Sequence, residues 1–206
     1  MIGANGSGVS AQPADKALSI DTATAPGGMA IPSGTAVAAA EELTVTGWYK
    51  PRTGEMKDAQ TLFNCFGSSL LWDGKINEWM WRVSSKGTSN PKATTWYGSG
   101  KNPPLFSAGQ WTFIAMTWKR AENRADFYMG SSSTAAAFTH KVERNDPVDS
   151  AKEGAKRAIG SDPGKPEERA FNGEIDNMRF FTKALDAATI ENIRAADAKN
   201  EVVTIP

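Results

Sequence analysis

Apolar residues recur along the chain in short runs rich in β-branched and aromatic side chains, separated by clusters of Gly, Pro, Asn, Asp and Ser. That rhythm predicts an all-β sandwich or barrel. Strands are expected over 16–21, 43–50, 60–66, 78–84, 93–97, 111–119, 125–129, 137–142, 156–159 and 171–181. The intervening PRTGEMKD, SSKGTSNPK, GSGKNPP, ERNDPVDSAKEG and SDPGKPEE are loops by composition, several with a proline that a central strand could not hold. In the run from Trp111 to Trp118 both alternating sets are apolar, so both faces should be covered. The run from Leu43 to Tyr49 places Leu43, Val45 and Tyr49 on one face and Thr44, Thr46 and Trp48 on the other, which predicts a strand with one face partly wet.

One late segment breaks the alternation. Asp186 is a good helix N-cap, Leu185 and Ile190 can staple the first turn, and AATIENIRAAD follows with Ile190 and Ile193 on one stripe. A short C-terminal helix pinned to the sandwich is expected.

At 206 residues and 40% hydrophobic composition, the chain can bury one sizeable core, so 1–206 is taken as a single domain with residues 1–15 loosely ordered. Charge changes the picture by exclusion. Lys plus Arg (23) balance Asp plus Glu (23), which leaves no net field to draw in nucleic acid or an anionic membrane surface. No run of apolar residues is long enough to insert into a membrane, and the opening MIGANGSGVSAQPADK lacks the apolar segment of a signal peptide. The lone Cys65 lies in an apolar run and is expected to be a buried thiol.

Three segments carry a family resemblance. ELTVTGWYKP (42–51) resembles an early strand that ends in a tryptophan and a proline turn. QWTFIAMTWKRAENRADFYMG (110–130) is similar to a strand pair opened by tryptophan and closed by tyrosine and glycine, and AFNGEIDNMRFFTKALDAATIENIRAAD resembles a closing strand, turn and helix. Together they resemble the laminin-G-like (LamG) family of the concanavalin A-like lectin/glucanase superfamily. The resemblance implies a two-sheet antiparallel jelly-roll sandwich with a short C-terminal helix. The opening GSGVSAQPADKALSIDTATAPGG resembles LamG-like domains of secreted or surface proteins of bacteria, which implies an extracellular or cell-surface location.

Candidate chemistry is sparse. Glu174-Ile175-Asp176 resembles the catalytic strand of family 16 glucanases, but retaining hydrolysis needs two carboxylates about 5 Å apart, and Met178 and Arg179 stand where the further carboxylate belongs. His140 has no recognisable catalytic partner. The chain is therefore expected not to be an enzyme. The resemblance also implies a structural calcium near Asp21 and Asp176, to be completed by backbone carbonyls and waters. Seven tryptophans offer the other clue. Trp72, Trp79, Trp81 and Trp96 lie close together with Tyr97, Arg82, Asp73, Asn77 and Glu78, a mixture that suits the apolar faces and polar edges of sugars. Trp79 and Trp81 share a face and could form a binding platform or pack in the core. The leading expectation is a non-catalytic carbohydrate-binding module for a polysaccharide or glycan. The alternatives are a structural or adhesive module with a protein partner and, third, a family-16-like glycoside hydrolase.

Overall fold

The computed structural model describes residues 1–24, 27–31, 41–53, 59–65, 68–73, 75–76, 78–84, 94–99, 107–143, 157–203 and 205; of residues 65, 68, 82–84 and 94–98 it describes the backbone alone. Phe66, Ala93 and Lys156, expected at strand ends, and Asn77 lie outside the described residues, and so does the side chain of Cys65.

Among the described residues, twelve strands and two helices follow in order: β1 (Leu18–Ile20), β2 (Met29–Ala30), β3 (Glu42–Pro51), β4 (Gln60–Cys65), β5 (Ser68–Asp73), β6 (Glu78–Ser84), β7 (Thr94–Gly98), β8 (Thr112–Lys119), β9 (Arg124–Ser131), β10 (Ala137–Glu143), β11 (Ala158–Ile159), α1 (Pro166–Arg169), β12 (Gly173–Phe181) and α2 (Ala187–Lys199). They form two six-stranded sheets, ordered β1-β12-β3-β8-β9-β10 and β2-β11-β4-β5-β6-β7. Every pairing between these strands is antiparallel. This is the expected jelly-roll sandwich. All ten expected strands are present; β2, β5 and the single turn of α1 are additions.

The two sheets enclose one apolar layer. Leu43, Val45 and Tyr49 of β3 and Ile114, Met116 and Trp118 of β8 meet Leu62, Leu70, Trp72, Trp79 and Trp81 of the second sheet there. A second layer lies on the other side of the first sheet, where Trp48, Phe113, Ala115 and Tyr128 pack with Leu185, Ile190, Ile193 and Val9. The expected helix is the reason. Asp186 caps it, its side chain accepting a hydrogen bond from the backbone N–H of Thr189 at 2.7 Å, and Ile190 and Ile193 are completely buried on the sheet. Asn200, in the left-handed conformation at φ 57°, ends it.

This second layer corrects the expectation of a partly wet face on β3. Thr44, Thr46 and Trp48 are all fully buried. The chain entering α2 supplies what Thr44 needs: its hydroxyl donates to the carbonyl of Lys183 at 2.7 Å and accepts from the N–H of Leu185 at 2.9 Å. A polar side chain so partnered can be buried at little cost.

Residues 1–15, expected to be loose, carry specific contacts. The N–H of Gly3 donates to the carbonyl of Ala17 at 2.8 Å, Val9 is buried in the second layer, and the amide of Gln12 donates to the carbonyl of Lys199 at 2.9 Å. Val9 joins the apolar cluster between α2 and the sheet, and its N–H donates to Asp176 Oδ2 at 2.9 Å.

Candidate functional site

Trp72, Trp79 and Trp81 do not form the expected aromatic platform, and the side chains of Arg82, Trp96 and Tyr97 lie outside the described residues. Trp72, Trp79 and Trp81 are 2%, 1% and 0% exposed and point between the sheets. Trp72 and Trp79 are cross-strand partners with ring centroids 5.0 Å apart, and Trp81 meets Phe127 edge-on at 6.3 Å. The physical reason is parity. Trp79 and Trp81 of β6 face the inter-sheet core, so Met80 between them faces outward.

On the outer face of the second sheet a depression of about 390 Å³ opens. Two cross-strand rows make its floor. One row runs Thr61, Leu71, Met80 and the other Asn64, Ser69, with Asp73 at the end of β5. The second row continues in register through Arg82 and Trp96, whose backbones extend it across β6 and β7, whereas Tyr97 is in register with inward-facing Trp81.

Asp162 and Arg169 form one wall. After β11 the chain turns at Gly160, in the left-handed region at φ 81°, and runs back beside β4, where Thr61 and Ala170 form an isolated parallel bridge. This places the Asp162 carboxylate against the sheet. Its Oδ1 accepts from Asn64 Nδ2 at 3.3 Å and from the N–H of Gly164 at 3.0 Å, and its Oδ2 accepts from an Arg169 guanidinium nitrogen at 3.0 Å. At the other end, Asp73 Oδ1 accepts from the N–H of Lys75 at 3.0 Å, which shapes the β5–β6 turn. The depression thus combines an apolar floor with a polar wall fixed by hydrogen bonds.

The other candidates lie elsewhere. Glu174 and Asp176 project from β12 toward the α2 side of the first sheet, away from this depression. Glu174 is ion-paired with its cross-strand neighbour Lys50, and Asp176 accepts from the N–H groups of Val9 and Asn177 at 2.9 and 2.8 Å. Glu174 lines a separate small hollow with Lys50, Arg52 and Gly109, and burial raises the pKa of Asp176 above the ordinary carboxylate range. Asp21 and Asp176 do not meet. Ile20 is opposite Gly173, so the two aspartates are offset by four positions, roughly 13 Å along the ladder. Asp21 instead accepts from the N–H of Ala23 at 2.9 Å and shapes a turn. This pair does not fit a shared calcium ion, and among the described residues no group of three or more His, Cys, Asp or Glu is placed to hold a metal. His140 sits half-buried on edge strand β10, away from the depression.

A bulge in β12 builds the electrostatic centre on the α2 side. Asn177, at φ 48°, shifts the register between Asp176 and Arg179, so both reach that face. Arg179 then grips Asp197 of α2 through two nitrogens at 2.9 and 2.8 Å, and Asp197 also accepts from Trp48 Nε1 at 3.1 Å. This assembly fastens the helix to the sheet.

No helix among the described residues is long and apolar enough to cross a membrane. The fold is similar to the native heptameric SAP-like pentraxin of Limulus polyphemus, with 15% identity, a TM-score of 0.56, and coverage of 91% of this chain and 84% of that one. It is also similar to the CBM40 of the Ruminococcus gnavus IT-sialidase bound to α2,3 sialyllactose, with 10% identity, a TM-score of 0.58, and coverage of 86% and 95%. No curated protein matches the chain. A laminin-G-type family model, described as concanavalin A-like lectin/glucanases superfamily, matches residues 24–191. With the sandwich and its closing strand and helix in place, the chain belongs to that superfamily.

Proposed function

We propose that the chain is a non-catalytic carbohydrate-binding module that works outside the cell and seats a saccharide on the outer face of the β2-β11-β4-β5-β6-β7 sheet. The observation that carries this reading is the depression itself: Leu71 and Met80 offer an apolar floor to the C–H face of a sugar ring, while Asn64, Ser69, Asp73 and the Asp162–Arg169 pair surround it with hydrogen-bonding groups. The sialyllactose-bound CBM40 supports it as a binding module on the same fold. The engagement of Glu174 with Lys50 and of Asp176 with backbone N–H groups supports a role without hydrolysis.

Retention on immobilised polysaccharides tests this reading. The wild-type chain is expected to bind at least one polysaccharide of a broad panel. Leu71→Arg, a change on the outward face of β5, should weaken that binding about tenfold or more while the melting temperature changes little. Retention unaffected by Leu71→Arg would place the ligand elsewhere. Failure against the whole panel would favour a protein-interaction module instead.

A further inference from the structure

We infer that the depression selects neutral saccharides over acidic ones and reads a pair of adjacent hydroxyls through the Asp162–Arg169 ion pair; this rests on the carbohydrate-binding reading above. The first ground is unused hydrogen-bonding capacity held in a fixed geometry. A carboxylate offers about four acceptor sites. Asp162 spends two at Oδ1, on Asn64 and Gly164, and one at Oδ2, on Arg169, which leaves an acceptor on the oxygen beside the guanidinium. Arg169 has about five N–H donors and commits one nitrogen to Asp162. A free acceptor and free donors therefore lie side by side, on side chains 19% and 34% exposed at the pocket wall. Two neighbouring sugar hydroxyls match that pattern, one donating to Asp162 Oδ2 and the other accepting from Arg169. Ionised partners make each such bond stronger than a neutral pair would.

The second ground is charge. Asp73 and Asp162 offset Lys75 and Arg169 among the lining residues. The register neighbour of the same outward face, Glu78 beside Asp73, adds a further negative charge. An acidic sugar would bring a carboxylate next to two existing ones, and Arg169 is already neutralised by Asp162. Anion recognition depends on guanidinium or ammonium groups without such a local counter-charge. The wall therefore gains from hydroxyls and not from a further negative charge.

The test titrates the full chain against neutral polysaccharides (laminarin, galactomannan, agarose) and acidic ones (polygalacturonate, alginate), at low and high salt. Wild type, Arg169→Gln, Asp162→Asn and Leu71→Arg are compared, with melting curves for each. The expected result is preferential binding of a neutral polysaccharide, little affected by salt, and weakened about tenfold by either Arg169→Gln or Asp162→Asn. Two variants on opposite partners keep the test decisive if one of them melts early. Preference for an acidic polysaccharide, weakening as salt rises and lost in Leu71→Arg, would overturn this inference and leave the carbohydrate-binding reading standing. So would neutral binding that Leu71→Arg abolishes but both wall variants leave intact. Binding to no polysaccharide, or binding that Leu71→Arg does not touch, would overturn the underlying reading itself.

Discussion

Asp197→Ala should destabilise the protein by about 3 kcal/mol, at the lower end of what removing one partner of a buried ion pair costs. Asp197 is 2% exposed and ties three elements together, holding Arg179 of β12 with both oxygens and Trp48 of β3 with one, from a position on α2. Truncation leaves the Trp48 N–H buried without its acceptor and the Arg179 guanidinium, 28% exposed, with the Asn177 carbonyl at 3.2 Å but without its counter-charge. For a domain of this size the melting temperature should fall by roughly 10 °C, with α2 losing amide-exchange protection first. A loss under about 1 kcal/mol in urea titration would show that α2 is held by its apolar stripe alone.

Acidification acts on this centre with an unusual sign. Burial is the main cause that raises the pKa values of both Asp176 and Asp197 above the ordinary carboxylate value. A group whose folded pKa is raised contributes stability that is full below the unfolded pKa and is lost as pH rises through the folded one. The stability of the wild type relative to Asp176→Asn should therefore increase as pH falls from neutrality toward the unfolded carboxylate pKa, near 4. Melting the two proteins side by side across that range checks the slope; the opposite slope would mean that the Val9 and Asn177 N–H groups outweigh burial.

The second large effect is at Trp81. Alanine there should cost about 3–5 kcal/mol, the range for truncating a fully buried large aromatic, because Trp81 is 0% exposed, opposes Leu70 across the strands and packs edge-on against Phe127 of the other sheet. Loss of saccharide retention in this variant should track loss of the folded fraction in a denaturant series. Retention lost at full folding would instead assign Trp81 a direct role in the site.

Much of the fold is legible in the chain because local signals agree. Asp186 with Leu185 and Ile190 marks the helix start, and the doubly apolar run of β8 announces that something covers its second face. Strand β5 is harder to read, since SSLLWD lacks β-branched residues and does not alternate cleanly. The dry face of β3 is hidden because its threonines look solvent-facing until the chain around Lys183 and Leu185 is known to cross them. Alternation shows that Trp79 and Trp81 share a face but not which face, and only the pairing of the sheets assigns both to the core. The pairing of Asp21 with Asp176 fails for want of register, which a single sequence does not carry. The depression itself depends on contacts between distant segments. Asn64 meets Asp162, ninety-eight residues later, in a loop whose composition gives no sign of ligand contact.

The central claim, that the outer face of the second sheet is a saccharide site, is tested most directly by mapping backbone amide chemical shifts as the best-retained oligosaccharide is titrated in. Saturable shifts are expected at Thr61, Asn64, Ser69, Leu71 and Met80 and along the wall from Asp162 to Arg169, with Trp48 and α2 unmoved. Shifts confined to α2, the β10 edge or the N-terminal segment, with those floor and wall amides silent, would contradict it.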